Sequence, residues 1–307
     1  MPQPMTLGFQ GLGKMGLNMV RRLRRDDHRV VCHDRSADPR GDVEAVGAEW
    51  APELSDLFAR LTPPRVHWLM IPAEAVDAAI ETLRPFLEPG DILIDGGNSH
   101  FHDTVRRAQS LGEAGVRLLD VGTSGGIWGL QAGYCLMVGG EQSAFEAVEP
   151  AFATLSPPEG CLYCGPSGAG HYVKMVHNGI EYGMMEAYAE GFELMAAGRY
   201  DLPLPQIAHL WNQGSVVRSW LLELAERALA EDPELEYLDA YVPDSGEGRW
   251  TAQEAVDLAV PAPVLVNALM RRFDSRQDRS YGLRLLAALR KQFGGHAVKP
   301  AGGEAPK

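Results

Sequence analysis

Apolar residues in the first half of the chain fall in short unbroken runs, and between the runs they recur with a helical period. The runs at 5–10, 29–33, 66–71, 91–95, 117–121, 136–139 and 161–163 predict strands, since a strand covered on both faces is apolar throughout. The stretches at 17–25, 53–61, 73–86 and 103–114 predict helices. Such alternation implies a mostly parallel sheet with helices on both faces, that is, an α/β Rossmann-type domain over 1–167. From 168 onward helices are predicted over 171–197, 205–212, 216–230, 251–258, 263–273 and 281–293, with no convincing strand. The expectation is therefore an all-helical second domain over 168–296 and a disordered tail over 297–307.

One helix breaks the simple pattern. Lys174, His177, Asn178, Glu181 and Tyr182 stand at i, i+3, i+4, i+7 and i+8, so a helix puts all five on one face. An amine, an imidazole, an amide, a carboxyl and a phenol together offer a base, an acid and several hydrogen-bonding groups. A solvated helix face would look similar. Gly179 and Gly183 argue against it, because each costs about 1 kcal/mol relative to Ala in a helix interior.

The strand at 5–10 runs directly into Gly11, Leu12, Gly13, Lys14, Met15 and Gly16, and then into a helical stretch. Strand, GxGxxG and helix in this order form the dinucleotide fingerprint. Gly11 permits the tight turn, Gly13 lets a pyrophosphate approach the backbone, and Gly16 lets helix and strand pack closely. The helix N-terminus faces the phosphate charge. The second strand ends in Asp34, suited to accept hydrogen bonds from ribose hydroxyls. Further strand ends carry Met70, Ile71 and Pro72, then Gly96, Gly97 and Asn98, then the small residues of 122–126.

Composition narrows the partners. A chain of 307 residues with net charge −13 suits two domains and disfavours nucleic acid, whose phosphates need a basic surface. An anionic small substrate remains compatible with a local arginine pocket. No apolar run reaches the roughly 18 residues that span a bilayer, and no signal-peptide pattern precedes the first strand. With four cysteines and a single CxxC at Cys161 and Cys164, neither a disulfide framework nor a metal site is expected. A cytoplasmic enzyme without metal or membrane contact is the expectation.

Several segments, 11–18, 94–99, 123–126 and 174–182, together resemble the decarboxylating 6-phosphogluconate dehydrogenases, and 246–251 and 290–296 extend the likeness. The run Lys-x-x-His-Asn-x-x-Glu-Tyr is specific. The wider β-hydroxyacid dehydrogenase superfamily shares the glycine motif, the Ser-Gly-Gly loop and the lysine, but usually not the Glu-Tyr pair. The length is similar to the family's short form. The resemblance implies that Lys174 takes the proton of the substrate's C3 hydroxyl while hydride leaves C3, and that after CO2 departs Glu181 protonates C1 of the resulting enediol, the carbon that was C2 of the substrate. It implies that Ser124, Gly125, Gly126, His177 and Asn178 hold the carboxylate and hydroxyls, with Asn98 between substrate and nicotinamide. Tyr182, Arg272 and Arg290 would meet the phosphate of an anionic sugar acid, with His296 beside the sugar. In the family the last arginine and histidine come from a second subunit, implying a homodimer or dimer of dimers with shared active sites.

Two departures from the family pattern matter. Ser245 and Glu247 replace a lysine and a threonine that touch the phosphate in the long form. Asp34, Arg35 and Ser36 replace the Asn-Arg-Thr of NADP users, and a carboxylate there repels a 2′-phosphate, so NAD is expected over NADP. Two other readings stay open: an NAD-dependent dehydrogenase of a small unphosphorylated β-hydroxyacid, and a non-catalytic dinucleotide-binding regulator.

Overall fold

The computed structural model describes residues 3–295 and 297–299. Its sheet contains β1 (Thr6–Gln10), β2 (Arg29–His33), β3 (Glu49–Trp50), β4 (Val66–Leu69), β5 (Ile92–Asp95), β6 (Arg117–Ser124), β7 (Cys135–Gly140) and β8 (Cys161–Gly165). The strand order is β3-β2-β1-β4-β5-β6-β7-β8. Every pair is parallel except β6 with β7, where Val121 faces Val138 and Ser124 faces Cys135. The order reverses between β1 and β4, and in such sheets ligands settle at that switch point, beyond the carboxyl ends of the strands. The glycine loop after β1 and the segment Met70, Ile71, Pro72 after β4 both lie there.

Alternation along the strands produces two cores. Leu7, Phe9, Val30, Cys32, Trp68 and Ile94 point to one face, and Val31, Leu69, Leu93 and Leu118 to the other. Both faces are covered, which explains the unbroken apolar runs.

Several elements differ from the expectation. The two-residue β3 and the helix Arg40–Ala45 are too short to show a period. The helix Gln142–Leu155 carries Pro150 in its interior, a residue that argues against any helix. Its stripe of Ala144, Val148, Ala151, Phe152 and Leu155 is nonetheless fully buried. β6 continues to Ser124 instead of ending at 121, because antiparallel pairing with β7 extends it. The helix expected over 216–230 is Trp220–Glu231; Ser219 caps it, its hydroxyl accepting the Leu222 N–H at 3.1 Å.

The chain packs into two compact units, Met1–Ile180 with Arg249–Asp257, and Glu181–Gly248 with Leu258–Lys307. The boundary falls inside the helix Ala169–Ala196. Among the described residues of the second unit all regular structure is helical, and Ala208, Leu222 and Leu229 form its buried centre. No helix among the described residues is long and apolar enough to cross a membrane. Of the expected tail, 297–299 carry no regular structure and 300–307 lie outside the described residues.

The second core, on the side of Leu69 and Phe58, holds a buried titratable group that sets an acid limit on stability. His67 on β4 packs against Phe58 and bonds through Nε2 to Gln10 Oε1 at 3.3 Å. Burial pushes its imidazole down to about 3, from an ordinary 6.5. The unfolded chain therefore takes the proton first, so His67's contribution is complete above pH 6.5 and is lost as pH falls toward 3. At about 1.4 kcal/mol per pH unit, about 2 kcal/mol disappears between pH 6.5 and 5. Urea midpoints at pH 7 and 5 measure this. His67→Asn should shrink the pH difference by that amount, and an undiminished difference would place the acid sensitivity elsewhere.

Candidate active site

After β1 the chain turns at Gly11, whose φ of +94° favours glycine. A Cβ there would stand 2.3 Å from the carbonyl oxygen of Met70, so the turn leans on the segment following β4. Gly13 precedes the helix Lys14–Leu23, and nothing lies within 4 Å of where its Cβ would be. No side chain caps that helix, which leaves its first N–H groups for an outside acceptor; the helix N-terminus favours an anion. Asp34 accepts the Leu12 N–H with Oδ2 at 2.7 Å and the Ser36 N–H with Oδ1 at 3.1 Å. Each carboxylate oxygen has a further lone pair, so ribose hydroxyls can still donate to it. Lys14, Arg35, Ser36 and Pro72 are exposed, and Met15, Met70 and Ile71 half-buried, around this loop. An open glycine face, an uncapped helix end and a carboxylate at the strand tip fit a dinucleotide.

The helix Ala169–Ala196 lies on β6 and β7. Asp120 of β6 is fully buried and accepts the Gly168 N–H at 2.8 Å and the His171 N–H at 2.9 Å. It caps the helix and meets the positive end of its dipole. Further along, Lys174 is buried against β6: a Cβ on Gly122 would fall 2.4 Å from Lys174 Cβ. One turn on, His177 Nε2 stands 3.3 Å from Ser124 Oγ, and His177 Nδ1 3.1 Å from Asn178 Oδ1. An Nδ1–H that donates to the amide oxygen leaves Nε2 to accept the serine hydroxyl. Gly125 and Gly126 follow Ser124 with φ of +130° and +52°. Thr251 donates to the Met175 carbonyl at 2.9 Å, and a Cβ on Gly179 would meet its methyl at 2.6 Å. That contact explains the first of the two helix glycines. Asn98 is exposed although residues 91–97 and Ser99 are buried.

In the second unit Glu181 is half-buried and Tyr182 buried. The Arg272 guanidinium lies 3.7 Å from the centre of the Tyr182 ring and donates to the Pro243 carbonyl at 3.1 Å. Its neighbour Arg271 turns instead toward Glu186 and Glu193, at 3.5 and 3.9 Å. Ser245 donates its N–H to the Tyr182 phenol at 3.4 Å and its hydroxyl to Glu247 at 2.5 Å. Ser245 and Glu247, which together depart from the family's phosphate-binding pattern, are thus joined to each other, and Ser245 to Tyr182. Arg290 is exposed on the helix Tyr281–Gly294, and His296 lies outside the described residues.

Residues 6–165 match the family described as the NAD binding domain of 6-phosphogluconate dehydrogenase, and residues 170–286 match its C-terminal domain. The chain belongs to the 6-phosphogluconate dehydrogenase family. An NAD(+)-dependent, decarboxylating 6-phosphogluconate dehydrogenase of Haloferax volcanii is 48% identical over 297 residues, covering 96% of this chain and 98% of the relative. The Bacillus subtilis protein YqeC, itself assigned to 6-phosphogluconate dehydrogenase only provisionally, is 43% identical over 295 residues, covering 96% and 99%. The solved 6-phosphogluconate dehydrogenase of Plasmodium falciparum superposes with a TM-score of 0.82 at 29% identity, over 97% of this chain and 67% of that one.

Within this family frame, Asp120 and Gly122 were not singled out for their roles by the sequence pattern. Asp120 closes an apolar strand run and Gly122 opens a glycine-containing loop. A signal existed: a carboxylate inside a strand predicted to be buried needs partners, and a helix N-terminus supplies them. The closeness of Gly122 to Lys174 yields a test. Gly122→Ala should destabilise the chain by about 1–3 kcal/mol through overpacking and displace the lysine stem. Thermal melts together with cofactor titration measure this. A variant with wild-type melting temperature would mean that the helix tolerates the methyl group.

Proposed function

We propose that this chain oxidises and decarboxylates 6-phospho-D-gluconate to D-ribulose 5-phosphate and CO2 while reducing NAD. The observation that carries the reading is a buried lysine, Lys174, on the same helix as His177 and Asn178, with Ser124 of β6 beside His177. Full-length relatives named for this reaction support it. A nicotinamide cofactor, held by Gly11, Leu12, Gly13, Lys14, Met15, Gly16, Asp34, Arg35, Ser36, Met70, Ile71, Pro72 and Asn98, supplies the hydride acceptor. Lys174 removes the proton from the C3 hydroxyl as the C3–H bond gives up its hydride. The resulting ketone accepts the electron pair of the C1–C2 bond, and CO2 leaves. Glu181, seven residues beyond Lys174 on the same helix, returns a proton to C1 of the enediol. Ser124, Gly125, Gly126, His177 and Asn178 orient the carboxylate and hydroxyls. Tyr182, Arg272 and Arg290 hold the phosphate, with His296 beside the sugar.

The choice of NAD rests on Asp34. Its carboxylate would repel a 2′-phosphate, and its bonds to Leu12 and Ser36 hold it in the glycine loop. The deciding assay follows reduced cofactor and CO2 together, with 6-phosphogluconate and either NAD or NADP. Equal yields of both products with NAD are expected. Turnover of small β-hydroxyacids alone, without CO2, would replace this reading by a non-decarboxylating one. Lys174→Met should lower kcat by ~10²–10⁴ while cofactor affinity stays nearly intact; a variant keeping half of wild-type kcat would remove Lys174 from the role of base.

A homodimer, alone or paired into a dimer of dimers, completes the reading. The helix Tyr281–Gly294 exposes Leu285, Leu286 and Leu289, which share one face at i, i+1 and i+4, an apolar face suited to a second copy. Arg290 on that helix would reach the partner's site, where a planar guanidinium grips phosphate bidentately. Co-expressed Lys174→Met and Arg290→Ala chains should then regain activity, since a mixed dimer holds one site with both lesions and one with neither. Purified heterodimers no more active than their parents would place Arg290 in its own subunit's site or outside any site.

A further inference from the structure

A buried polar network lies behind the segment that carries Asn98. Arg107, on the helix Phe101–Gly112, has a side chain only 4% exposed, and the Asp95 side chain it meets is fully buried. Its Nε donates to Asp77 Oδ1 at 2.8 Å. One terminal nitrogen donates to Ser99 Oγ at 2.9 Å and Asp95 Oδ2 at 3.3 Å. The other donates to Asp77 Oδ2 at 3.2 Å and the Ala73 carbonyl at 3.4 Å. All five guanidinium N–H groups are thereby used. Ser99 in turn donates to Asp95 Oδ2 at 2.6 Å, and the Gly97 N–H to Asp95 Oδ1 at 3.1 Å.

These partners come from two different stretches of chain. Ala73 and Asp77 follow β4 and the Met70-to-Pro72 segment, whereas Asp95 and Ser99 bracket the segment after β5. The two stretches also run backbone against backbone. The Gly96 N–H donates to the Leu69 carbonyl at 2.9 Å, and a Cβ on Gly97 would strike the Ile71 carbonyl oxygen at 2.6 Å. Within the stretch 91–99, Asn98 is the one exposed residue. Packed apolar residues commonly stabilise a core as well as a buried ion pair does. What the fork geometry of an arginine adds is a fixed register between the groups it bridges.

We propose that Arg107 is a positioning residue that locks the loops after β4 and β5 together, and so fixes Asn98 where substrate meets nicotinamide. The catalytic part of this rests on the proposed function; the locking of the loops does not. Lysine at 107 keeps the charge but offers three donors from a single point and cannot bridge both loops. Arg107→Lys should therefore leave the melting temperature high enough for a fully folded enzyme at the assay temperature. Amide hydrogen exchange, read by mass spectrometry on the full chain, should accelerate at least about tenfold over 69–77 and 95–99 and remain unchanged over β7 and β8. With 6-phosphogluconate deuterated at C3, kcat should fall about tenfold and its isotope effect should rise, because misplacement slows the hydride step itself. A simple loss of folded enzyme lowers kcat at constant isotope effect, and that result would overturn the proposal. Unchanged exchange in both loops would overturn it as well. Should Arg107→Lys fail to fold, Asp77→Asn removes one anchor from the half-exposed end of the network and is judged by the same two readouts. A wild-type chain inert toward 6-phosphogluconate would sink the functional reading alone, and the exchange data would still decide whether Arg107 locks the loops.

Discussion

The carboxylate of Asp120 ties the lysine-bearing helix to the sheet, and the chemistry of the first unit depends on that tie. A charge buried this completely is tolerated only if its oxygens are occupied, and the Gly168 and His171 N–H groups occupy them. The same bonds satisfy two donors that any helix leaves open at its start. Small residues then let the helix descend. A Cβ on Gly139 would lie 2.7 Å from both Asp120 oxygens, and one on Gly170 would lie 2.4 Å from the Met137 carbonyl oxygen. With the helix start fixed, Lys174 follows Gly168 at about 9 Å along the axis, at 1.5 Å per residue, and arrives over Gly122. The antiparallel partner β7 prolongs β6 just far enough to bring Ser124 level with His177.

The cofactor side follows a comparable economy of groups. Asp34, proposed to meet the ribose, also secures Leu12 inside the glycine loop. Met70 supports Gly11 from the next strand in the sheet, and Ile71 supports Gly97 from the opposite direction. The loops at the switch point are thus held by one another's backbones, which suits a surface that must meet a rigid, flat ring.

Periodicity made the sheet legible because both faces are covered and the central strands are mostly apolar. The stripe on the long helix was legible for the opposite reason: polar groups recurred where a packed helix should be apolar. Other features were hidden by residue chemistry that reads ambiguously. Pro150 masked a well-patterned helix. Arg107 looks like an ordinary surface charge in a linear sequence, and for Asp95 and Asp120, set in strands predicted to be buried, only three-dimensional pairing reveals the partners. Spacing alone placed Tyr182 beside its stripe neighbours, but the stacking of Arg272 on its ring comes from residues ninety positions apart, beyond the reach of any local pattern.

The first unit is not one continuous stretch of chain. Thr251, which bonds the Met175 carbonyl and packs on Gly179, arrives about seventy residues after the helix turn it supports. Synthesis on a ribosome therefore releases the sheet and its glycine loop well before the segment 249–257 that finishes the unit. Until then Gly179 faces no partner, and the turn bearing His177 and Asn178 lacks one of its braces. Contacts of such long sequence separation form late, so completion of the helix that bears Lys174 waits on translation of a distant segment, and a nascent chain can acquire its sheet and glycine loop before that helix is fully braced.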